Sequence, residues 1–552
     1  MKRMQKLLVL ALTFVFLLSA VVVGIPTTVD AEEDVKTLHV LGPEGATGKF
    51  KFSERDRYSV WSEFEKLMDE YGLDLEFEVV AYDQYQSVIQ TRMSAAIDLP
   101  DFANVKDLGQ ATILEMASRG LFQPIDEIVD EYSDGTAKEF FGPGGLGERS
   151  HLLNTTEDGN VYWLSQIQTT TYDDEPGSTS IMLQIRRDWL DELGLDVPTT
   201  TTEFKDAIQA FQDNDVNGNG SPDEIISIDF SSFYANGIAE SFGLVYGLVG
   251  FNMNEGVPTD VTSPWYQDGI KDYFTYLNEL YEAGLIDPIV IGATEPDQNV
   301  ANNKAAALTN YTMATWSEPQ VAGAENPMYE PIGPLTYDGG DAEYTPVISV
   351  EPPELSWYNW AFTQAADDYE ADARLVDLLC SDTYMELTQW GIEGETYEVV
   401  DGEKQLLPIA LHDAYDEAYD AGYVIGDFLW ANGTMFPKRR FVPMENEIEQ
   451  VRENFPLKSE HQEEIIDYPY TTPLGTGNYL PVASTEQLQR RMEISTDLET
   501  RSQEIAVGLI FGDLSVDDMD SYVEELDELG LRDLVEIDQT RMDRALELGI
   551  FG

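Results

Sequence analysis

The run Asp213-Asn214-Asp215-Val216-Asn217-Gly218-Asn219-Gly220-Ser221-Pro222-Asp223-Glu224 sets oxygen-bearing residues at alternate positions around glycines. That pattern suits Ca²⁺, a hard cation that takes several oxygen ligands and needs a sharp turn between them. The run holds no His or Cys, which a softer metal would require. Two registers fit. A loop opened by Asp213 closes on Glu224 in the manner of an EF-hand, while one opened by Asp215 offers Asp215, Asn217, Asn219, the Ser221 carbonyl, Asp223 and Glu224. The same residue types also make metal-free turns. Because the loop lies between two elements of one lobe, the Ca²⁺ it predicts is structural.

A second group of residues has the chemistry to hold sugar. Trp163, Trp316, Trp360 and Trp430 fall at predicted strand ends, away from helical apolar stripes. A flat ring with one polar handle matches the apolar C–H face of a sugar, and core packing is the competing use of each ring. Lys438-Arg439-Arg440 concentrates bases in a chain that has few. Arg439 there could grip an acidic sugar with its guanidinium fork, or pair with the acidic surface.

Catalytic constellations fail. His39, His151, His412 and His461 are isolated, with no spacing that would bind zinc. Gly142-Pro143-Gly144-Gly145-Leu146-Gly147 lacks the Lys-Ser/Thr that holds a phosphate, and no Gly-x-Ser-x-Gly elbow is present. Glycoside hydrolysis needs paired carboxylates, and among 103 acidic residues the sequence singles out no pair.

The elements that must position these residues alternate. Thr37–Gly42, Leu75–Val80 and Leu99–Val105 read as strands, with helices around Trp61–Tyr71 and Tyr85–Ile97 between them. Val161–Leu164 and Ile181–Ile185 read as further strands. Arg187–Leu193, a helix opened by Thr201-Thr202-Glu203, and Tyr273–Ala283 read as helices, the first and last stopped by Gly194 and Gly284. Acidic amphipathic helices are predicted over Val516–Leu529 and Thr540–Leu548. This is an α/β pattern of two lobes sharing one chain.

Composition narrows the partners. The chain of 552 residues carries a net charge of −71, which repels nucleic acid and anionic lipid. Its 11% aromatic content and periodic segments argue for a folded core beneath an acidic, solvated shell suited to high salt, and hence for a halophilic source. Cys380 is the sole cysteine, so neither a disulfide framework nor a thiolate metal site can form. Lys2, Arg3 and Lys6 precede an apolar run from Leu7 to about Ile25, then Val29-Asp30-Ala31. Residues 1–31 thus form an export signal, with an uncleaved anchor as the competing reading. No lipobox Cys lies near the cleavage region.

Several landmarks together resemble the extracellular solute-binding proteins of carbohydrate ABC importers, in the branch of alginate-oligosaccharide-binding and LipO-like proteins. They are Gly72-Leu73 followed by Leu99-Pro100-Asp101, Asp158-Gly159-Asn160-Val161-Tyr162, Ile185-Arg186-Arg187-Asp188-Trp189-Leu190-Asp191-Glu192-Leu193-Gly194-Leu195 with Pro198-Thr199-Thr200, Gly284-Leu285-Ile286-Asp287-Pro288, Gly391-Ile392-Glu393-Gly394 with Tyr397, and Leu529-Gly530-Leu531. The resemblance runs over nearly the whole mature chain and favours the Asp215 register of the metal loop. It implies a two-lobed periplasmic-binding-protein-like (type II) fold, with a hinge of crossing strands and a ligand cleft between the lobes. The expected division is 32–166 for the first part of the N-terminal lobe, 167–335 for the C-terminal lobe with the calcium loop, 336–390 for a return to the first lobe, and 391–552 mainly for the second lobe and closing helices. By position Trp316 corresponds to a ring that family members stack on sugar, Trp163 to a first-crossover aromatic and, more loosely, Trp430 to another.

The implied function is non-enzymatic. An exported protein, periplasmic or extracellular and monomeric, would bind an oligosaccharide and deliver it to permease subunits in the membrane. A carbohydrate-active enzyme and a surface polysaccharide-binding or sensory receptor are the alternatives.

Overall fold

The computed structural model describes residues 37–44, 55–56, 59–165, 167–169, 181–228, 230, 237–254, 257–286, 297–311, 329–350, 359–400, 402–407, 439–441, 471–473 and 480–550. Thr37–Gly552 forms one compact unit, and the expected signal at 1–31 lies outside the described residues.

The first lobe begins with β1 (Thr37–Pro43), α1 (Ser59–Glu70), β2 (Asp74–Val80), α2 (Tyr82–Ala95), β3 (Phe102–Asn104), α3 (Gln110–Ser118) and α4 (Ile125–Tyr132). The second lobe contributes β4 (Ile181–Arg186), α5 (Arg187–Leu193), α6 (Thr201–Asn214), β5 (Ile225–Ser227), α7 (Ile270–Glu282), β6 (Ala305–Tyr311) and β7 (Tyr329–Pro331). Then come β8 (Trp360–Phe362), α8 (Tyr369–Cys380) and α9 (Asp382–Gln389), and finally α10 (Thr485–Ile510), α11 (Met519–Leu529) and α12 (Leu531–Glu547).

The first sheet has the order β8-β3-β1-β2. β1 runs parallel to β2 and β3, while β8 closes the edge antiparallel to β3, with Trp360 opposite Asn104. The period of two along the strands divides two cores. Leu38, Val40, Phe102, Trp360 and Phe362 face α1, α4, α8 and α9, whereas Leu41, Ala103 and Ala361 face α2 and α3. On α2, Tyr85, Ile89 and Met93 recur one helical turn apart and fill the space left by the two alanines. Phe64 of α1 is fully buried, and Phe64→Ala should cost roughly 3–5 kcal/mol.

The second sheet has the order β7-β4-β6-β5. β4 is antiparallel to both neighbours and β5 is parallel to β6. One continuous core joins this sheet to α5, α6, α7 and the buried faces of α10, α11 and α12. The Arg186-Arg187-Asp188-Trp189 landmark has a physical basis here. Arg186 is 1% exposed, grips Asp188 with Nε at 2.7 Å and Nη2 at 2.6 Å, donates to Asn303 Oδ1 at 2.6 Å, and lies 3.9 Å over the Trp189 ring. The Thr200 hydroxyl caps α6 by accepting the Glu203 N–H, one residue ahead of the expected opening.

After the second sheet the chain returns to the first, since β8 pairs with β3 and α8 and α9 pack on the first-lobe core. The segment after residue 480 ties the lobes again. Val482 N–H donates to the Leu153 carbonyl at 2.9 Å, and Arg541 on α12 donates to the carbonyls of Pro481 at 2.8 Å and Leu480 at 3.2 Å.

Element bounds differ from the expectations where single residues interrupt them. The strand expected over 99–105 narrows to β3, because Pro100 has no N–H and the Asp101 carboxylate takes the His39 N–H at 2.8 Å. Val161–Leu164 reduces to one bridge, Leu164 with Trp360. The helix expected from Tyr85 begins at Tyr82 and ends at Ala95, where Ala96 turns left-handed (φ 51°). The helix expected from Tyr273 begins at Ile270, and 540–548 is the end of a longer helix, α12.

Candidate functional site

The acidic loop joins α6 to β5. Asp213 and Asn214 are still helical, and Asp213 Oδ1 accepts from Gln209 Nε2 at 3.1 Å. The turn therefore starts at Asp215, whose left-handed φ of 48° ends the helix. Gly218 (φ 69°) and Gly220 (φ 83°) supply further positive φ angles that side chains disfavour. Each polar side chain organises the backbone ahead of it. The Asp215 carboxylate accepts the Gly220 N–H, Asn217 Oδ1 the Asn219 N–H, and Asn219 Oδ1 the Ser221 N–H.

The end of the loop is its electrostatic centre. Glu224 is fully buried, and its oxygens accept the N–H groups of Asn217 and Asp223, both at 3.1 Å. Desolvation nonetheless raises its pKa above the usual glutamate value. Asp223 goes the other way. Burial would raise it, but hydrogen bonds from Lys304, Asn217 and Asn219 prevail and hold it below the ordinary aspartate value. Lys304 Nζ sits 2.8 Å from one Asp223 oxygen, while the amides of Asn217 and Asn219 donate to the other at 2.9 and 2.8 Å.

The donor set fits a hard divalent cation. Asp215, Asn217, Asn219, Ser221, Asp223 and Glu224 offer carboxylate, amide and carbonyl oxygens, and the desolvated charge of Glu224 would be offset by the ion. Among the described residues no group of three or more His, Cys, Asp or Glu side chains is gathered for a metal. The loop's carboxylates are held instead by N–H groups and by Lys304.

The aromatic candidates are dispersed. Trp163 is 1% exposed in the core on the α2 side of the first sheet, and its Nε1 donates to Asn154 Oδ1 at 2.9 Å. Trp360 is fully buried on the other face, stacked on Phe102 at 5.2 Å. Trp316 and Trp430 lie outside the described residues. Arg439 opens a short strand, Arg439–Phe441, that pairs in parallel with Ile167–Thr169, and its side chain lies outside the described part. Of the histidines, His39 is exposed beside Glu76, His151 pairs with Asp126 at 2.6 Å, and His412 and His461 lie outside the described residues.

The structure reveals a polar seam that the sequence did not single out. Asn154 Nδ2 donates to Ser165 Oγ at 3.0 Å, Ser165 Oγ to Asn359 Oδ1 at 3.2 Å, and Val105 N–H to the Asn359 carbonyl at 2.7 Å. All of these residues are buried. Ser165 and Asn359 stand where the chain leaves and re-enters the first lobe, so the seam binds two crossings to the end of β3. Isolated asparagines carry no periodic signal by which the sequence could have marked them.

Comparison with known proteins places this geometry. A model of the family described as bacterial extracellular solute-binding protein matches residues 53–385. A relative from Streptococcus pneumoniae serotype 4, the fructooligosaccharide ABC transporter substrate-binding protein FusA, is 24% identical over 485 residues, covering 84% of each chain. Among solved structures, an EF-hand mutant of the S. pneumoniae FusA protein in complex with fructo-nystose superposes with a TM-score of 0.68 at 20% identity, over 93% of this chain and 100% of that one. The alginate-binding protein AlgQ2 without calcium ion superposes with a TM-score of 0.59 at 19% identity, over 92% and 98%. At such identities these structures speak for the two-lobed α/β fold. No helix among the described residues is long and apolar enough to cross a membrane.

Proposed function

Because the chain belongs to the bacterial extracellular solute-binding protein family, we propose that it captures an oligosaccharide between its lobes and delivers it to the permease subunits of an ABC importer without turning it over. The family match carries this reading, together with two sheets whose cores are separate yet linked by repeated chain crossings. The described relative that binds fructooligosaccharide supports the ligand class. Closure of lobes about such crossings converts ligand binding into a surface that a permease can read.

Trp316, Trp430 and Arg439 are the proposed direct contacts. Trp163 and Trp360, both buried, act from beneath, through Asn154 and the pairing with β3. The protein works as an exported monomer. A structural Ca²⁺ sits in the loop on Asp215, Asn217, Asn219, the Ser221 carbonyl, Asp223 and Glu224, in keeping with relatives described by an EF-hand and by the absence of calcium. Its role is to hold the α6–β5 turn, away from the chemistry of binding.

A thermal-shift screen of mature protein in molar salt with calcium, against kestose, nystose and trigalacturonate, tests the reading. Ligand at about a hundred times Kd stabilises the bound form by roughly 2.7 kcal/mol. A sugar that raises the melting temperature and is recovered intact supports a receptor. A sugar that is consumed means an enzyme, and silence across the panel rejects oligosaccharide as the ligand.

A further inference from the structure

In open α/β sheets, ligands bind beyond the carboxyl ends of the strands, where the strand order reverses direction. In the first sheet that point lies between β1 and β3, because β1 is followed by β2 on one side and β3 on the other. The residues at this edge are specific. β3 ends on Asn104 and is followed by a short 3-10 turn, Lys106–Leu108, and β2 runs through Ala81 into α2, which opens on Tyr82.

Three observations bring these residues together. Tyr85, one turn after Tyr82, donates its hydroxyl to the Asn104 carbonyl at 2.6 Å and lies 3.2 Å from the Leu41 carbonyl, so α2 starts against the ends of both strands. Tyr82 itself is 43% exposed, unlike the buried Tyr85. The Asp107 carboxylate acts on the Tyr82 phenol, whose pKa is raised first by partial burial and then by that negative charge.

The amide of Asn104 adds a directional donor. Its Oδ1 accepts the Lys106 N–H at 3.1 Å, which fixes the carbonyl side and leaves Nδ2 as the opposite, donating side. That nitrogen is buried and has no hydrogen-bond partner among the described residues. An unmet buried donor is a cost that an arriving acceptor oxygen removes.

We propose that Tyr82, Asn104 and Asp107 form a sugar subsite on the first lobe, selective for an uncharged, hydroxyl-rich ring. It rests on the oligosaccharide reading above and deepens it. Tyr82 covers an apolar C–H face, Asp107 accepts hydroxyl hydrogens, and Asn104 Nδ2 donates to a hydroxyl oxygen once the edge admits the ring. A carboxylate at the mouth, in a chain of net charge −71, disfavours uronic acids.

Calorimetric titration of the mature, calcium-loaded protein with nystose and with trigalacturonate decides the matter. Tyr82→Ala should weaken nystose binding roughly tenfold, Tyr82→Phe should stay within about threefold, and Asp107→Asn should weaken it by about threefold to tenfold. Tyr132→Ala, an exposed tyrosine packed on Tyr369 elsewhere on the first lobe, should leave affinity unchanged. Melting temperatures of all variants should match wild type, since the altered side chains are exposed or half-buried. If wild type binds nystose and Tyr82→Ala binds it equally well, the subsite is wrong while the receptor reading stands. Preference for trigalacturonate overturns the selectivity, and failure to bind either sugar overturns both readings.

Discussion

The hydroxyl of Tyr85 donates to the carbonyl of Asn104 at 2.6 Å, joining the first turn of α2 to the last residue of β3. The phenol is buried, and its pKa is pushed well above the usual tyrosine value by desolvation, so it stays a donor at any working pH. Tyr85→Phe keeps the ring and removes this bond. It should cost about 0.5–1.5 kcal/mol, read as a lower denaturant midpoint with an unchanged m-value.

Asp188 is the counter-charge of a guanidinium that is almost wholly out of water. Asp188→Ala leaves Arg186 with Asn303 and the rings of Trp189 and Tyr329, and with no carboxylate partner among its described contacts. The expected loss is about 3–5 kcal/mol, measured by chemical denaturation. Replacing Arg187, whose contact with Asp191 is more exposed, should cost less than about 1 kcal/mol.

Calcium should act on stability through the loop. Chelation should lower the melting temperature of the wild type, and Asp215→Ala and Asp223→Ala should abolish that response. Asp213→Ala should retain it, because Asp213 belongs to α6. An unchanged melting curve on chelation in high salt rejects the metal.

The pH dependence follows from Glu224 and Asp223. Glu224 has a folded pKa raised above 4.5, so the calcium-free protein gains stability as pH falls through that pKa, and loses it as pH rises. Asp223 is depressed below 3.8, so its contribution is present above that value and disappears as pH falls through the folded pKa. Protons therefore compete with calcium at Glu224 first. The gap between melting temperatures with and without calcium should narrow as pH falls through the raised Glu224 pKa, in paired thermal scans, while Asp223 remains ionised.

The sequence marked local chemistry more clearly than burial. The loop was legible because its oxygens alternate with glycines over a short stretch, whereas the helical place of Asp213, the burial of Glu224 and the hold of Lys304 on Asp223 come only from the structure. Strands β1, β2 and β4 and helix α5 were legible from periodicity and from glycine stops. Trp163 and Trp360 show the opposite case. A tryptophan near a strand end looks the same in sequence whether its ring meets solvent or Phe102, and only tertiary packing decides. Asn104 and Asn359 are invisible for another reason, since their importance comes from strand ends that meet across a long stretch of chain.

The edge strand β8 reaches β3 only after all of the second sheet has been made. Synthesis proceeds at about 5–20 residues per second, so β3 waits many seconds with one edge open. Pairings so distant along the chain are slow to form, because the intervening loop must be ordered before the contact rewards it. Of the two four-stranded sheets the first is therefore the later to be completed although three of its four strands emerge first, and its β3 edge stays open until the chain has been made as far as β8.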